Sequence, residues 1–166
     1  MTTIRHLIPI CLALLVSACG FQIREDAELP PEMAKTRMVI ESENSVLARR
    51  VRVLLAQSGV TFVGADQATA FLEIPVNNVQ TEVLTIGDNA RVREYRVSHT
   101  VRFRLTDANG KEIIPWQTMR QAREISFDEQ EILATSREQE YLKQDLAESL
   151  SRQLVTRLES RSSQVN

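Results

Sequence analysis

A long alternating stretch in the middle of the chain limits the folds that it can adopt. Over residues 95–105 every second side chain belongs to one mostly apolar face, and the residues between them are polar or charged. This period of two predicts a strand with one buried and one solvated face. Turn sequences at 87–89 and 107–110 flank this strand, and further predicted strands lie beyond them at 70–86 and 112–127. We therefore expect an elongated domain with antiparallel strands of about fifteen residues, each close to 50 Å long at roughly 3.3 Å per residue.

Proline interrupts two of these strands. Because proline cannot donate a hydrogen bond to a strand ladder, it is confined to strand edges, strand ends and bulges. We expect a break near residues 75–78, and an edge or a bulge at Pro115.

A first helix is predicted ahead of the long strands. It follows a short strand candidate at residues 38–40, and either Asn44 or Ser45 can cap its first turn. Gly59 is well placed to end the helix just after its C-cap. The apolar residues between these positions follow a helical spacing and form one stripe, namely Leu47, Val51, Leu54 and Leu55.

A second and longer helix is predicted in the last third of the chain. Leucine recurs at every fourth position over residues 142–158, which makes one apolar face over about six turns. Two capping arrangements are compatible with its start, and these are Asp128 with Glu131, and Thr135 with Glu138.

The order of these elements predicts the fold class. A strand, a helix, three long antiparallel strands and a helix follow one another, and both helices have an apolar face that needs a cover. The simplest solution is an α+β two-layer sandwich. We predict a four-stranded, mostly antiparallel sheet with long strands and two helices packed on one face.

The chain begins like the precursor of a bacterial lipoprotein. Arg5 precedes a short apolar core, and the small residues Ser17 and Ala18 stand directly before Cys19. This pattern is typical of a secretory signal peptide, and the apolar run is too short to span a bilayer, which takes about 20 residues. A cysteine at this position predicts cleavage before Cys19 and acylation of its thiol, and Gly20 after it favours delivery to the outer membrane. An ordinary signal peptide with a coincidental cysteine is the alternative.

The sequence divides into four segments. These are a signal peptide at 1–18, a lipidated leader or linker at 19–36, the α+β domain at 37–160 and a polar tail at 161–166. The mature length suits one domain. Cys11 leaves with the signal peptide and Cys19 carries lipid, so no disulfide is expected.

Composition argues against several classes of function. A net charge of −2 at pH 7 does not indicate nucleic-acid binding, which favours a strongly basic domain. The mature chain has one histidine, His99, on the apolar face of a strand, where a core imidazole is expected. Without a free thiol or a second histidine, the familiar zinc sites and Cys–His or Ser–His catalysis lack their parts. We therefore predict no catalytic residue, no metal site, no enzyme activity and no cofactor beyond the covalent lipid on Cys19.

Arginines gather near the first hairpin turn and along the polar strand face. The first group is Arg91, Arg93 and Arg96, and the second is Arg102 and Arg104. Such residues either form a solvated face or contact anions, because the guanidinium fork suits phosphate. An outer-membrane location offers one abundant anionic amphiphile, lipopolysaccharide.

A series of short motifs runs through the mature chain in a fairly specific order and spacing. They are Ala18-Cys19-Gly20-Phe21-Gln22-Ile23-Arg24, Leu29-Pro30, Glu94-Tyr95, Asp107 to Gly110, Arg123, Ala134 with Glu138, Gln153-Leu154 and Arg157-Leu158. Together these motifs resemble the LptE (RlpB) family of lipopolysaccharide-assembly lipoproteins, and they cover most of the mature chain.

The resemblance implies a stable complex with LptD, a large outer-membrane β-barrel in whose lumen the protein would sit as a plug. It also implies help in assembling that barrel, a part in moving lipopolysaccharide to the outer leaflet, and direct lipopolysaccharide binding. Family members bind lipopolysaccharide through basic residues near the hairpin tip and just before the final helix. Carried over by position, the candidates are Arg91 and Arg93 at the tip and Arg137, since Thr135 occupies the pre-helix position itself. The implied location is the outer membrane, lipid-anchored, on the periplasmic side and in the barrel lumen.

Two other functions are compatible with a two-layer lipoprotein. One is a periplasmic auxiliary lipoprotein of an ABC-type lipid transporter, and the other is a general envelope-structure lipoprotein. A barrel partner that survives detergent extraction favours the first function, whereas inner-membrane partners favour the transporter.

Overall fold

A 3-10 turn at Pro31–Ala34 leads into the first strand of the computed structural model, which describes residues 28–86, 92–126 and 132–162. The Met33 side chain in this turn is fully buried. In chain order the elements are β1 at Lys35–Ile40, α1 at Val46–Gln57, β2 at Thr61–Phe62, β3 at Ala70–Ile86, β4 at Val92–Asp107, β5 at Glu112–Ser126 and α2 at Ile132–Ser162.

The strands form one five-stranded sheet in the order β2-β1-β3-β4-β5. β1 runs parallel to both β2 and β3, and α1 provides the crossover that a parallel β1–β2 pair requires. β3, β4 and β5 form the expected antiparallel meander.

The three long strands have the predicted length and the predicted interruptions. β3 has 17 residues, β4 has 16 and β5 has 15. At about 3.3 Å per residue, β3 therefore spans roughly 55 Å. The register of β3 on β4 shifts beside Pro75, and that of β4 on β5 shifts opposite Pro115. Both prolines thus lie where a strand ladder is already irregular, because they have no N–H to donate.

The first helix starts and ends at predicted residues. Of the two candidate caps, Ser45 is the one in place, and its Oγ accepts a hydrogen bond from the Ala48 backbone N–H at 3.2 Å. Gly59 follows the C-cap with φ +90°, a left-handed conformation that favours glycine.

Both helices pack on the same face of the sheet. One large buried cluster joins α1, α2 and the sheet, and its largest members include Leu47, Leu55, Leu72, Ile74, Phe103, Leu150, Leu154 and Leu158. A second and smaller cluster consists of Val97, Ile125 and Leu146, with Leu142 partly buried against it.

The predicted fold class is confirmed, with one strand more than expected. The α+β two-layer sandwich, the long strands and the two helices on one face are all present. The additional strand is β2, which has only two residues. A segment that short contains no full period of alternation, so the pattern of the sequence does not reveal it.

The second helix is longer than the six turns or so that its leucine repeat predicts. The sheet begins with β1 at Lys35, and α2 continues to Ser162. α2 has 31 residues, or about 8.6 turns at roughly 3.6 residues per turn. Because Thr135 already lies inside the helix, the prediction that it caps the start is wrong. The other predicted cap, Asp128, lies outside the described residues.

Candidate functional site

The residues predicted to carry function lie in separate parts of the chain. Cys19 and Arg91 fall outside the described residues, so the lipid site and the first tip arginine stay predictions. Arg93 is near the start of β4, where the structure describes its backbone. Arg137 is an exposed residue near the start of α2.

Arg93 and Arg137 belong to the same end of the sheet, which we call the hairpin end. Glu94 of β4 pairs with Ser126, the last residue of β5, so β5 finishes at this end and α2 begins after it. Leu142 of α2 then packs on the smaller buried cluster. Helix positions before Leu142, Arg137 among them, therefore lie toward the hairpin end. Arg93 of β4 and Arg137 of α2 thus belong to the same end of the sheet but to different elements.

The amino-terminal part of the described chain lies at the opposite end of the sheet, which we call the base end. Ala70, the first residue of β3, pairs with Asp107, the last residue of β4, at this end. The segment from Glu28 to Ala34 and the loop after α1 line an open groove there of about 760 Å³. Among the described residues that line the groove, Glu28 is the one with an ionisable side chain.

The sheet face that the helices leave open, the polar face, carries cross-strand ion pairs. Arg96 of β4 donates from Nε and Nη2 to Oε1 of Glu124 on β5, at 3.1 and 2.7 Å. The hydrogen bonds that Arg96 donates to Glu124, together with the negative charge of that carboxylate, raise the pKa of Arg96 above its ordinary value. Arg120 of β5 lies 3.9 Å from Glu82 of β3. Both arginines are therefore paired with glutamates of other strands, Arg96 with one on the adjacent β5 and Arg120 with one on β3, across β4.

Arg104 is held in the same way, by a forked contact with Glu73 of β3. Its Nε and Nη2 donate to the two carboxylate oxygens at 3.0–3.1 Å. Both side chains are about one-third exposed, at 31% and 32%. Glu112 adds a longer contact at 3.9 Å. The charge of Arg104 is thus balanced within the sheet.

Trp116 packs against two arginines of the polar face. The guanidinium carbons of Arg102 and Arg104 each lie 4.6 Å from the centroid of its ring, within the cation–π range. None of the described carboxylates forms an ion pair with Arg102. Of the two arginines considered on the strand face for anion contact, Arg104 is therefore neutralised, whereas Arg102 has no ion-pair partner within the described ranges. Sequence analysis misses Trp116, because the bulge at Pro115 obscures which face it lies on.

A row of polar side chains crosses the buried face of the sheet, and we call it the polar row. His99 Nε2 donates to Asn77 Oδ1 at 2.7 Å, and Asn77 Nδ2 donates to Ser45 Oγ at 2.9 Å. On the side toward β5, Gln121 Nε2 donates to Gln153 Oε1 at 3.4 Å. Burial lowers the pKa of His99 below its ordinary value of 6.5. His99 is thus a buried, hydrogen-bonded imidazole, as its place on the apolar face predicts.

The described ranges of the chain are 28–86, 92–126 and 132–162. Within them, no group of three or more His, Cys, Asp or Glu side chains is placed to hold a metal ion. No helix in the same part of the chain is long and apolar enough to cross a membrane.

Comparison with known sequences identifies one family. The model of the family LptE, described as lipopolysaccharide-assembly, matches residues 37–158. The LPS-assembly lipoprotein LptE of Photorhabdus laumondii subsp. laumondii is 26% identical over 149 residues, which cover 89% of this chain and 81% of that protein.

Solved structures of other bacterial lipoproteins have the same fold. Lipoprotein B of Nitrosomonas europaea superposes with a TM-score of 0.71 at 24% identity, covering 87% of this chain and 93% of that one. The rare lipoprotein B of Shewanella oneidensis superposes with a TM-score of 0.67 at 20% identity, covering 79% of this chain and 98% of that one. At these identities the likeness concerns the fold alone.

Proposed function

Because the chain belongs to the LptE family of lipopolysaccharide-assembly proteins, we propose that it forms a plug-and-barrel complex with the export barrel LptD. In this proposal the protein is anchored in the outer membrane by lipid on Cys19. It assists the assembly of the barrel and the insertion of lipopolysaccharide into the outer leaflet, and it binds lipopolysaccharide directly. It performs no catalysis.

The family match is the observation that carries this proposal. It spans residues 37–158, which include all of β3, β4 and β5 and most of α2. The match therefore concerns the whole sandwich rather than one motif. The lipobox pattern at Cys19 lies outside the matched residues, and it is consistent with membership of a lipoprotein family.

The two ends of the sheet suit a plug that is tethered at one end. The stretch between Cys19 and Glu28 reaches at most about 30 Å when fully extended, at roughly 3.3 Å per residue. The base end therefore stays close to the membrane surface. The hairpin end lies roughly 55 Å further along β3, which exceeds the roughly 30 Å hydrocarbon thickness that a surrounding barrel must cross. Wide barrels leave a lumen that such a body can fill.

The arginines of the hairpin end are the proposed lipopolysaccharide contacts. Arg93 and Arg137 lie toward this end, and Arg91 precedes the start of β4. A guanidinium can bind a phosphate through two parallel hydrogen bonds. Arg137 is solvent-exposed and can present its charge to a ligand.

Co-purification tests the complex. The full chain, tagged at its carboxyl terminus, is extracted from membranes of its own host in mild detergent and captured. We expect the LptD barrel in the captured fraction in stoichiometric amount. Recovery of inner-membrane ABC-transporter subunits in its place would replace the proposal with the transporter function.

A charge-reversal variant tests lipopolysaccharide binding. Changing Arg91, Arg93 and Arg137 to glutamate should weaken binding of purified lipopolysaccharide about tenfold or more, while barrel recovery stays normal. The matched control carries the same charge change at three other exposed cations, Arg37, Lys111 and Arg152. Equal losses in the two variants would show a general charge effect and remove the assignment of these arginines.

A further inference from the structure

The hairpin half of β3 has an open edge. β1 pairs with β3 only as far as Ile40 with Ile74. From Val76 to Ile86, β3 pairs with β4 on one side, and the described residues provide no strand on the other side. A strand edge of this kind presents a row of unpaired N–H and C=O groups that can pair with another chain.

The two edges of the sheet differ in how they are protected. The β5 edge carries Pro115 and a series of charges, which are the usual devices against unwanted pairing, and these charges are Glu112, Arg120, Arg123 and Glu124. The open part of β3 has no proline after Pro75 and a single charge, Glu82. That carboxylate is directed across the polar face to Arg120 at 3.9 Å. The β3 edge is therefore nearly uncharged.

Apolar side chains accompany the open edge. Val79 and Val83 are 39% and 47% exposed, whereas Val97 and His99 on the neighbouring strand are buried. The difference arises because α2 packs over β4 and β5. Val79 pairs with His99 and Val83 with Tyr95, so both valines lie on the helix-bearing face beside the uncovered edge. A strand added here would cover them.

We propose that the open β3 edge binds an extended segment of a partner polypeptide by strand addition. The segment presents apolar residues toward Val79 and Val83 and polar residues at the alternate positions. About ten residues suffice, since that length spans roughly 33 Å. An anionic lipid does not fit the described part of this edge, because residues 76–85 of β3 include no cation. Strands of outer-membrane barrels have this alternation, and the identity of the partner as a segment of the barrel protein, paired with β3 in the complex, rests on the proposed function.

Amide hydrogen exchange in the complex tests the proposal directly. Exchange is measured for the full chain alone and for the chain extracted with its barrel. We expect those amides of residues 77–85 that point away from β4 to exchange roughly tenfold more slowly in the complex. The β5 amides at 118–124 should be unchanged. Unchanged exchange over 77–85 in a recovered complex overturns the strand addition and leaves the plug function intact.

Lysine substitutions test the edge with a matched control. Val79→Lys with Val83→Lys places charges at the open edge, and should reduce barrel recovery several-fold without changing thermal stability. The control is Val39→Lys with Val53→Lys, at valines that are 49% and 46% exposed and lie away from this edge. Equal recovery of the two variants contradicts the proposal.

A peptide probe separates this inference from the proposed function. A synthetic peptide of about ten alternating valine and threonine residues, with terminal lysines for solubility, is added to the full chain. We expect protection over residues 77–85, and this arm decides the inference even if no barrel co-purifies. Absence of protection by the peptide overturns the proposal. Protection that arises only because the chain associates with itself, as sedimentation would show, also overturns it, since no partner strand is then bound.

Discussion

Replacing Leu154 by alanine should destabilise the protein more than the same change at Leu146. Both leucines lie on α2 and are 0% exposed. Leu154 belongs to the large cluster, which has 21 buried members from α1, α2, the sheet and the segments beside them. Leu146 belongs to the small cluster, where Leu142 is only partly buried. Since the two substitutions remove the same atoms, they differ in how far the surroundings can collapse into the cavity.

The expected magnitudes follow from that difference. Buried Leu→Ala changes cost about 2.7–5.0 kcal/mol, and the cost rises by about 24 cal/mol for each Å³ of cavity that remains. We expect about 4 kcal/mol for Leu154→Ala, because rigid neighbours keep the cavity open. We expect about 3 kcal/mol for Leu146→Ala, because the partly exposed Leu142 can move into the space.

Urea unfolding followed by circular dichroism measures both values. The denaturant slope should be the same in both variants, so that the difference appears in the midpoint. Val53→Ala, at a residue that is 46% exposed, serves as the control and should stay within about 0.5 kcal/mol of the parent. Equal losses at the two leucines, or a larger loss at Leu146, would refute the division of the buried face into two unequal clusters.

Three further predictions concern polar contacts. Because burial lowers the pKa of His99 below 6.5 in the folded state, the unfolded chain binds a proton at this residue more readily than the folded chain. The contribution of His99 to the free energy of unfolding should therefore be fully present above pH 6.5 and decrease as the pH falls below it. His99→Gln should remove this part of the pH dependence in urea titrations. Ser45→Ala removes the cap of α1 and the acceptor for Asn77, and should cost about 1–2 kcal/mol in the same assay, whereas Ser45→Asp should retain most of the capping. Glu73→Gln breaks the charge balance of the partly exposed contact with Arg104, and should cost about 1 kcal/mol in low salt and less in 1 M salt, where an unchanged difference would contradict an electrostatic origin.

The long strands and their interruptions are predictable from the sequence because their signals are local. Alternation over residues 95–105 has a period that only a strand produces, and the two prolines mark irregularities in any ladder. Ser45 was one of two compatible caps, and the choice between it and Asn44 depends on backbone geometry that composition does not contain. The prediction that Thr135 caps the start of α2 is wrong, because a sequence that suits a cap also occurs inside helices.

The candidate site is less predictable because it depends on register between strands. The sequence leaves Arg96 and Arg104 either on a solvated face or in contact with anions. Their glutamate partners come from other strands and meet them only in one alignment. Trp116 lies just beyond a bulge, so its face could not be assigned by counting alternate residues. The lipid site at Cys19 and the roles of Arg91, Arg93 and Arg137 stay predictions.

The polar row has a consequence for how the long meander finds its alignment. Sliding β3 along β4 by two positions would leave every side chain on its proper face, so apolar contacts alone distinguish such neighbouring alignments poorly. The slide would, however, separate Asn77 of β3 from His99 of β4. Each polar group left buried without a partner costs about 1–3 kcal/mol. The hydrogen bond between Asn77 and His99 therefore favours one register of β3 on β4. Apolar contacts alone would leave this register and its neighbours nearly equal in energy.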